Sequence, residues 1–183
     1  MTQLWKTYRP VWQFLLVFFG TYISFSGLYF FALEYWIEQG LLVDPITRSV
    51  GRQVEWFLKF FGYQGHIGPW SGTQNLVISI MNQPVAQLVE GCNALSILIL
   101  FSAFILAIPQ KIAPTLGYVL IGSILIYAVN IIRIVLISIG IFNYPNWTGL
   151  LHDIVFPSII YGTVLALWIV WVWRYKLKFR PHD

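Results

Sequence analysis

Apolar residues in this chain gather into four long runs separated by polar, glycine-rich and proline-rich breaks. The first run, residues 11–33, is long enough at about 1.5 Å per residue to cross a hydrocarbon core of roughly 30 Å. Lys6 and Arg9 precede it, as basic residues precede a signal peptide, but the run is too long for an h-region and no small-x-small site closes it. An uncleaved anchor is expected. The second run, 92–108, reaches spanning length only if its helix starts near Cys92, which would put that residue in the first turn. Pro109, Lys111 and Pro114 break the chain before the third run, 115–142, and a turn-rich segment, 143–149, precedes the fourth, 151–173. Pro157 near the start of the fourth run is tolerable, because neighbouring groups in a membrane helix satisfy the freed carbonyl.

A different pattern occupies residues 34–91. Ile46, Val50, Val54, Phe57, Leu58 and Phe61 recur every three or four positions, opposite Arg48, Arg52, Glu55 and Lys59. This spacing predicts an amphipathic helix over 46–61, resting either on the membrane surface or against the other helices. Gly62, Gly65, Gly68, Pro69 and Gly72 predict an irregular stretch. Residues 76–81 and 85–89 are rich in β-formers and flank Asn82, Gln83 and Pro84, which predicts a short hairpin leading into Cys92. The expected fold is an all-α integral membrane protein, one domain over 1–183. It has about four transmembrane helices and an external segment, 34–91, that carries an amphipathic helix and a short β-hairpin.

Composition supports this reading, since a chain of 183 residues that is 58% hydrophobic and only 10% charged exposes too much apolar surface for a water-soluble globule. The formal charge of +4 does not point to nucleic acid, because the basic residues flank apolar runs and form no patch. They read instead as topology signals. Lys6, Arg9, Lys111, Arg174, Lys176, Lys178 and Arg180 fall on one side of four spans, and that side is expected to be the cytoplasm, with both termini there. Glu34, Glu38, Asp44, Glu55, Glu90 and Asp153 fall on the other. Trp5, Tyr8, Tyr35, Trp36, Trp147 and Trp171 stand where interfacial aromatic belts are expected.

Three residues carry candidate chemistry toward the outer side. Cys92, in VEGCNAL, is the single cysteine, so neither an intramolecular disulfide nor a cysteine-based metal cluster is available to it. A helix start lowers a thiol's pKa and favours the nucleophilic thiolate, although a membrane cysteine also serves as a small apolar filler. Arg133 lies inside the third apolar run, where arginine costs roughly 2.5 to 3.5 kcal/mol at a bilayer centre and marks a functional site by default. Snorkelling would lift its head group toward the level of Cys92. Its structural alternative is a bond to backbone carbonyls or to Glu90. Asn130, one turn earlier in NIIR, shares its helix face and is placed to orient the guanidinium or a substrate. His152, in LLHD beside Asp153, begins the fourth run at the same level and is suited to proton transfer at neutral pH. His66 is the rival base, in a stretch expected to be a flexible loop, and His182 falls on the cytoplasmic side. Glu90, Asn93, Asn130 and Asp153 are the candidates for substrate orientation. A nucleophile, a proton shuttle and a cation for a developing oxyanion are the parts of acyl transfer through a thioester.

VEGCNAL, NIIR and LLHD resemble, in order and topology, the cysteine, arginine and histidine motifs of the exosortase and archaeosortase family of membrane transpeptidases. The similarity covers most of the chain from Val89 onward, and the short length resembles the exosortase F subtype of the Bacteroidetes. Many family members carry more spans and have Ser-Gly after the cysteine, where this chain has Asn93 and Ala94. The resemblance implies a bacterial inner-membrane enzyme with its site facing the periplasm and with no metal or organic cofactor. It also implies exported protein substrates that end in a short motif, a transmembrane helix and a basic tail. In that family's terms Cys92 is the nucleophile, Arg133 binds the scissile carbonyl oxygen and His152 transfers protons. Two other readings compete: hydrolysis with water as acceptor, and a non-enzymatic carrier or assembly component for surface polysaccharide or lipid. The absence of inverted-repeat symmetry weighs against a carrier.

Overall fold

A computed structural model describes residues 8–41, 43–69, 75–108 and 110–178. Trp5, Lys6, Gly72, Pro109, Arg180 and His182 lie outside the described residues. The chain is mostly helical, with a small antiparallel sheet inserted between its first two apolar helices. Helix α1 covers Arg9–Glu38, α2 Pro45–Phe60, α3 Leu95–Ala107, α4 Ile112–Asn143 and α5 Phe156–Lys178. By length and composition three helical stretches are able to cross a membrane: Arg9–Glu38, Ile112–Asn143 and Pro145–Arg174.

The second apolar run departs from expectation. Its helix starts at Leu95 and has 13 residues, about 20 Å. Cys92 instead closes a 3₁₀ turn, Glu90–Cys92, and is not in the first turn of α3. The reason is local. Asn93 accepts the Leu95 N–H through its side chain, and Ala94 adopts φ 65°, so the chain bends sharply before the helix can extend backward.

The amphipathic segment forms α2, started by Asp44, whose carboxylate accepts the N–H groups of Ile46 and Thr47, with Pro45 at the first helical position. Val50, Val54 and Leu58 are fully buried. They pack on the sheet and on Ile131, Ile134 and Val135 of α4, so of the two resting places the structure selects packing against the helices for this face.

That sheet has three strands rather than two, β1 (Gly65–Pro69), β2 (Leu76–Ile80) and β3 (Gln83–Leu88), in the order β1-β2-β3. The all-α expectation is corrected accordingly. Strand β1 occupies the stretch read as irregular, and packing explains Gly65. A Cβ on Gly65 would lie 2.8 Å from the Cβ of Leu58, so the bare backbone lets β1 press directly onto α2. Met81 and Asn82, at φ 50° and 63°, make the two-residue turn between β2 and β3 with the backbone twist that hairpins favour. Pro84 lies on the edge strand, next to a register shift at Ile78 and Ser79, where its missing N–H breaks no interior ladder.

Two cores result. One, the outer core, at the end of the helices away from Arg9, Lys111 and Arg174, joins α2, the sheet and α4. The second joins α3, α4 and α5 through Phe101, Ile105, Ile126, Ile160, Val164 and Trp171. In the second core the Phe101 ring fills the space beside Gly122 so fully that no side chain fits there. Helix α1 buries none of its own residues and leans on α3, with Phe14 edge-on to Phe104 at 5.7 Å. Before α5 the chain makes a 3₁₀ turn, Pro145–Trp147, and a π-helical turn, Leu151–Val155. Pro157 accounts for the widened turn, since it offers no N–H to the preceding turn and its ring crowds the carbonyl there.

Candidate active site

The outer core positions Cys92. β3 delivers the chain into the Glu90–Cys92 turn, whose Cys92 N–H donates to the Val89 carbonyl at 2.8 Å. The half-buried cysteine packs against the outer core. Its carbonyl accepts a 2.8 Å hydrogen bond from the Asn130 side chain, which comes from α4. The Asn130 oxygen in turn accepts from Nη1 of Arg133 at 3.4 Å. Asn130 is only 1% exposed, so the pair of bonds ties the cysteine turn to the arginine through a buried amide.

Asn93 makes the second tie. Its amide nitrogen donates to the Tyr29 hydroxyl at 2.8 Å and to Oγ1 of Thr47 at 3.2 Å, while its oxygen caps α3 at the Leu95 N–H. One buried asparagine therefore joins α1, α2 and α3 directly beneath the cysteine turn. Tyr29, Asp44 and Thr47 escape sequence reading as site supports because they lie far from Cys92 in the chain. The Asp-Pro start of α2 was the only local signal, and it announces a helix cap rather than a site.

Arg133 sits where α4 enters the outer core, beside Ile131, Ile134 and Val135, which pack on α2 and the sheet. Packed polypeptide therefore surrounds this turn of α4 on one side. Among the described residues Arg133 forms no ion pair with Glu90 or any other carboxylate, and its Nε is buried without an acceptor. One of its five N–H donors is thus committed to Asn130, which leaves most of the guanidinium's hydrogen-bonding capacity uncommitted.

The structure does not bring His152 to this pair. It stands on the π-turn, 66% exposed at the side chain, and its Nδ1 pairs with Oδ1 of Asp153 at 2.9 Å. That turn packs against the outer end of α4, where Leu151 approaches Gly140. His66 is part of β1, not a flexible loop, and its imidazole faces Glu55 of α2 at 3.9 Å. Asp153 thus serves His152, and Asn93 and Asn130 serve the cysteine turn. Among the described residues Glu90 contributes its backbone, the carbonyl accepting the Asn93 N–H at 3.4 Å. No group of three or more metal-ligating side chains occurs among the described residues. Comparison with known families, with curated proteins and with solved structures finds no match for the chain.

Proposed function

We propose that this chain is a membrane-embedded cysteine transpeptidase that cleaves C-terminal sorting signals of exported proteins and passes them to a surface acceptor. The observation that carries this reading is the hydrogen-bonded path from the Cys92 carbonyl through Asn130 to Arg133, which ties a thiol turn to a partly uncommitted guanidinium through one buried amide. In the reaction the Cys92 sulfur attacks the scissile carbonyl and Arg133 balances the oxyanion. His152 takes the thiol proton and returns it to the departing amine as the C–N bond breaks, leaving a thioester. An amine acceptor then attacks the thioester and frees the sulfur. Because His152 starts on an exposed turn with Nδ1 held by Asp153, its Nε2 reaches the sulfur through closure of that turn over bound substrate.

The site belongs at the outer membrane boundary. Counted at about 1.5 Å per residue, Tyr29 lies roughly 30 Å from Arg9, Arg133 roughly 33 Å from Lys111, and His152 roughly 33 Å from Arg174. These distances match the hydrocarbon thickness. The edges of the sheet that packs on Ile131, Ile134 and Val135 of α4 need water or polypeptide as neighbours, which supports a position beyond the lipid tails. Trp56 and Phe60 of α2, 59% and 70% exposed and stacked on each other, lie on the same helix face as Gln53, which bonds the Tyr127 hydroxyl lower on α4. That aromatic face suits the interface.

Production of a substrate bearing such a signal, in cells carrying Cys92→Ala or Cys92→Ser, tests the proposal. Unprocessed precursor is expected with both variants. Normal processing with either one removes the enzyme reading, and a new substrate C-terminus without added mass replaces transfer by hydrolysis.

A further inference from the structure

At the opposite, basic end of the helices a cavity of about 320 Å³ opens between α4 and α5. Gln110, Gly117, Tyr118, Trp171 and Arg174 line it, with the apolar residues Pro114 and Ile121. From these observations we infer that the cavity is a phospholipid site, taking the phosphate of an anionic headgroup beside Arg174 and Gln110 and one acyl chain along Pro114, Gly117 and Ile121.

The polar part of the lining is rich in donors. Arg174 is exposed and offers a guanidinium fork that matches phosphate oxygens, and Gln110 offers an amide. Among the described residues no carboxylate lines the cavity to repel an anion. Trp171, 6% exposed, adds an aromatic wall. The neighbouring Tyr118 hydroxyl is already spent on the Leu167 carbonyl at 2.8 Å.

The apolar part of the lining runs along α4. Pro114, Gly117 and Ile121 follow one another at three- and four-residue spacing, so they form a single stripe on α4. A Cβ on Gly117 would meet nothing within 4 Å, which makes that glycine the open floor of the stripe. Ile121 is 69% exposed. An anionic head over a basic rim, continuing into an apolar slot at membrane level, fits a phospholipid better than a soluble anion. This inference is independent of the chemistry proposed for Cys92.

The test is native mass spectrometry of the full chain released from nanodiscs of phosphatidylglycerol or of phosphatidylcholine. One phosphatidylglycerol is expected to remain bound in preference to phosphatidylcholine. Arg174→Gln, at an exposed position that the fold does not use, is expected to reduce that occupancy at least fivefold. Gly117→Leu is expected to lower it severalfold. Equal retention by the unaltered chain and Arg174→Gln overturns the site. Loss with Arg174→Gln but not with Gly117→Leu, together with displacement by millimolar inorganic phosphate, assigns the cavity to a free phosphate and overturns the lipid.

Discussion

Asn130 concentrates the burden of the site in a single amide. It gives one hydrogen to the Cys92 carbonyl and accepts one from Arg133, and nothing else described takes over either role. Asn130→Ala leaves a buried carbonyl and a guanidinium without their partner, a cost of about 1–3 kcal/mol in stability. Asn130→Asp keeps the acceptor for Arg133 but removes the donor toward Cys92. We expect Asn130→Ala to lower processing of a signal-bearing substrate by at least tenfold, and Asn130→Asp to lower it less, both measured as precursor and product on immunoblots with thermal unfolding in detergent run in parallel. Equal activity of Asn130→Ala and the unaltered chain at equal protein level would show the tie to be structural ornament. The candidate pair was legible in the sequence because Asn130 and Arg133 stand one helical turn apart. What the sequence did not display is that Asn130 addresses the backbone of Cys92 rather than a substrate, since a carbonyl 38 positions away leaves no mark on spacing.

At the scale of elements, α2 is the joint between the outer core and the membrane helices. Its three faces are distinct: Val50, Val54 and Leu58 meet the sheet and α4; Gln53, Trp56 and Phe60 face the level of Tyr127; and Arg48, Arg52 and Lys59 carry charge. The periodicity of 46–61 revealed the helix to within a residue at each end, because an apolar stripe at helical spacing is a local signal. Strand β1 remained hidden, since Gly65 and Gly68 suggest a turn, and the close approach of Gly65 to Leu58 of α2 depends on chain elsewhere. The start of α2 is a sharper test of the local account. Asp44→Ala removes the acceptor for the Ile46 and Thr47 N–H groups and should cost about 0.5–2 kcal/mol. Hydrogen exchange in the first turn of α2 is expected to rise, with exchange in β2 much less affected; unchanged protection at Ile46 and Thr47 would refute the cap.

For the whole molecule the testable quantity is orientation. Helix length alone identifies three candidate spans, while α3 is a 13-residue piece between its neighbours. The sequence conveyed the apolar runs and the basic-end asymmetry directly. It could not convey that α4, about 48 Å long, outlasts the hydrocarbon and lends its outer part to a folded cap, because a continuous apolar run looks the same beside lipid as beside a packed sheet. In a Cys92→Ala background, single cysteines at Gln83 and at Lys111 should separate cleanly. Membrane-impermeant maleimide applied to spheroplasts is expected to label Gln83→Cys and to spare Lys111→Cys until the membrane is permeabilised. The reverse pattern would invert the topology and place the Cys92 turn on the cytosolic side.

The seat of Phe101 against Gly122 has a consequence for the height of the sulfur. The ring lies roughly 9 Å along α3 from its first residue, Leu95, yet it acts as a stop for the cysteine turn, since α3 cannot slide past α4 without lifting an aromatic ring out of its notch. On the proposed function, the level at which the thiol meets a substrate is thus gauged from the middle of the helix pair. A smaller ring or a filled notch would reset that gauge, and on the same proposal it would alter the position of a cut more than its speed.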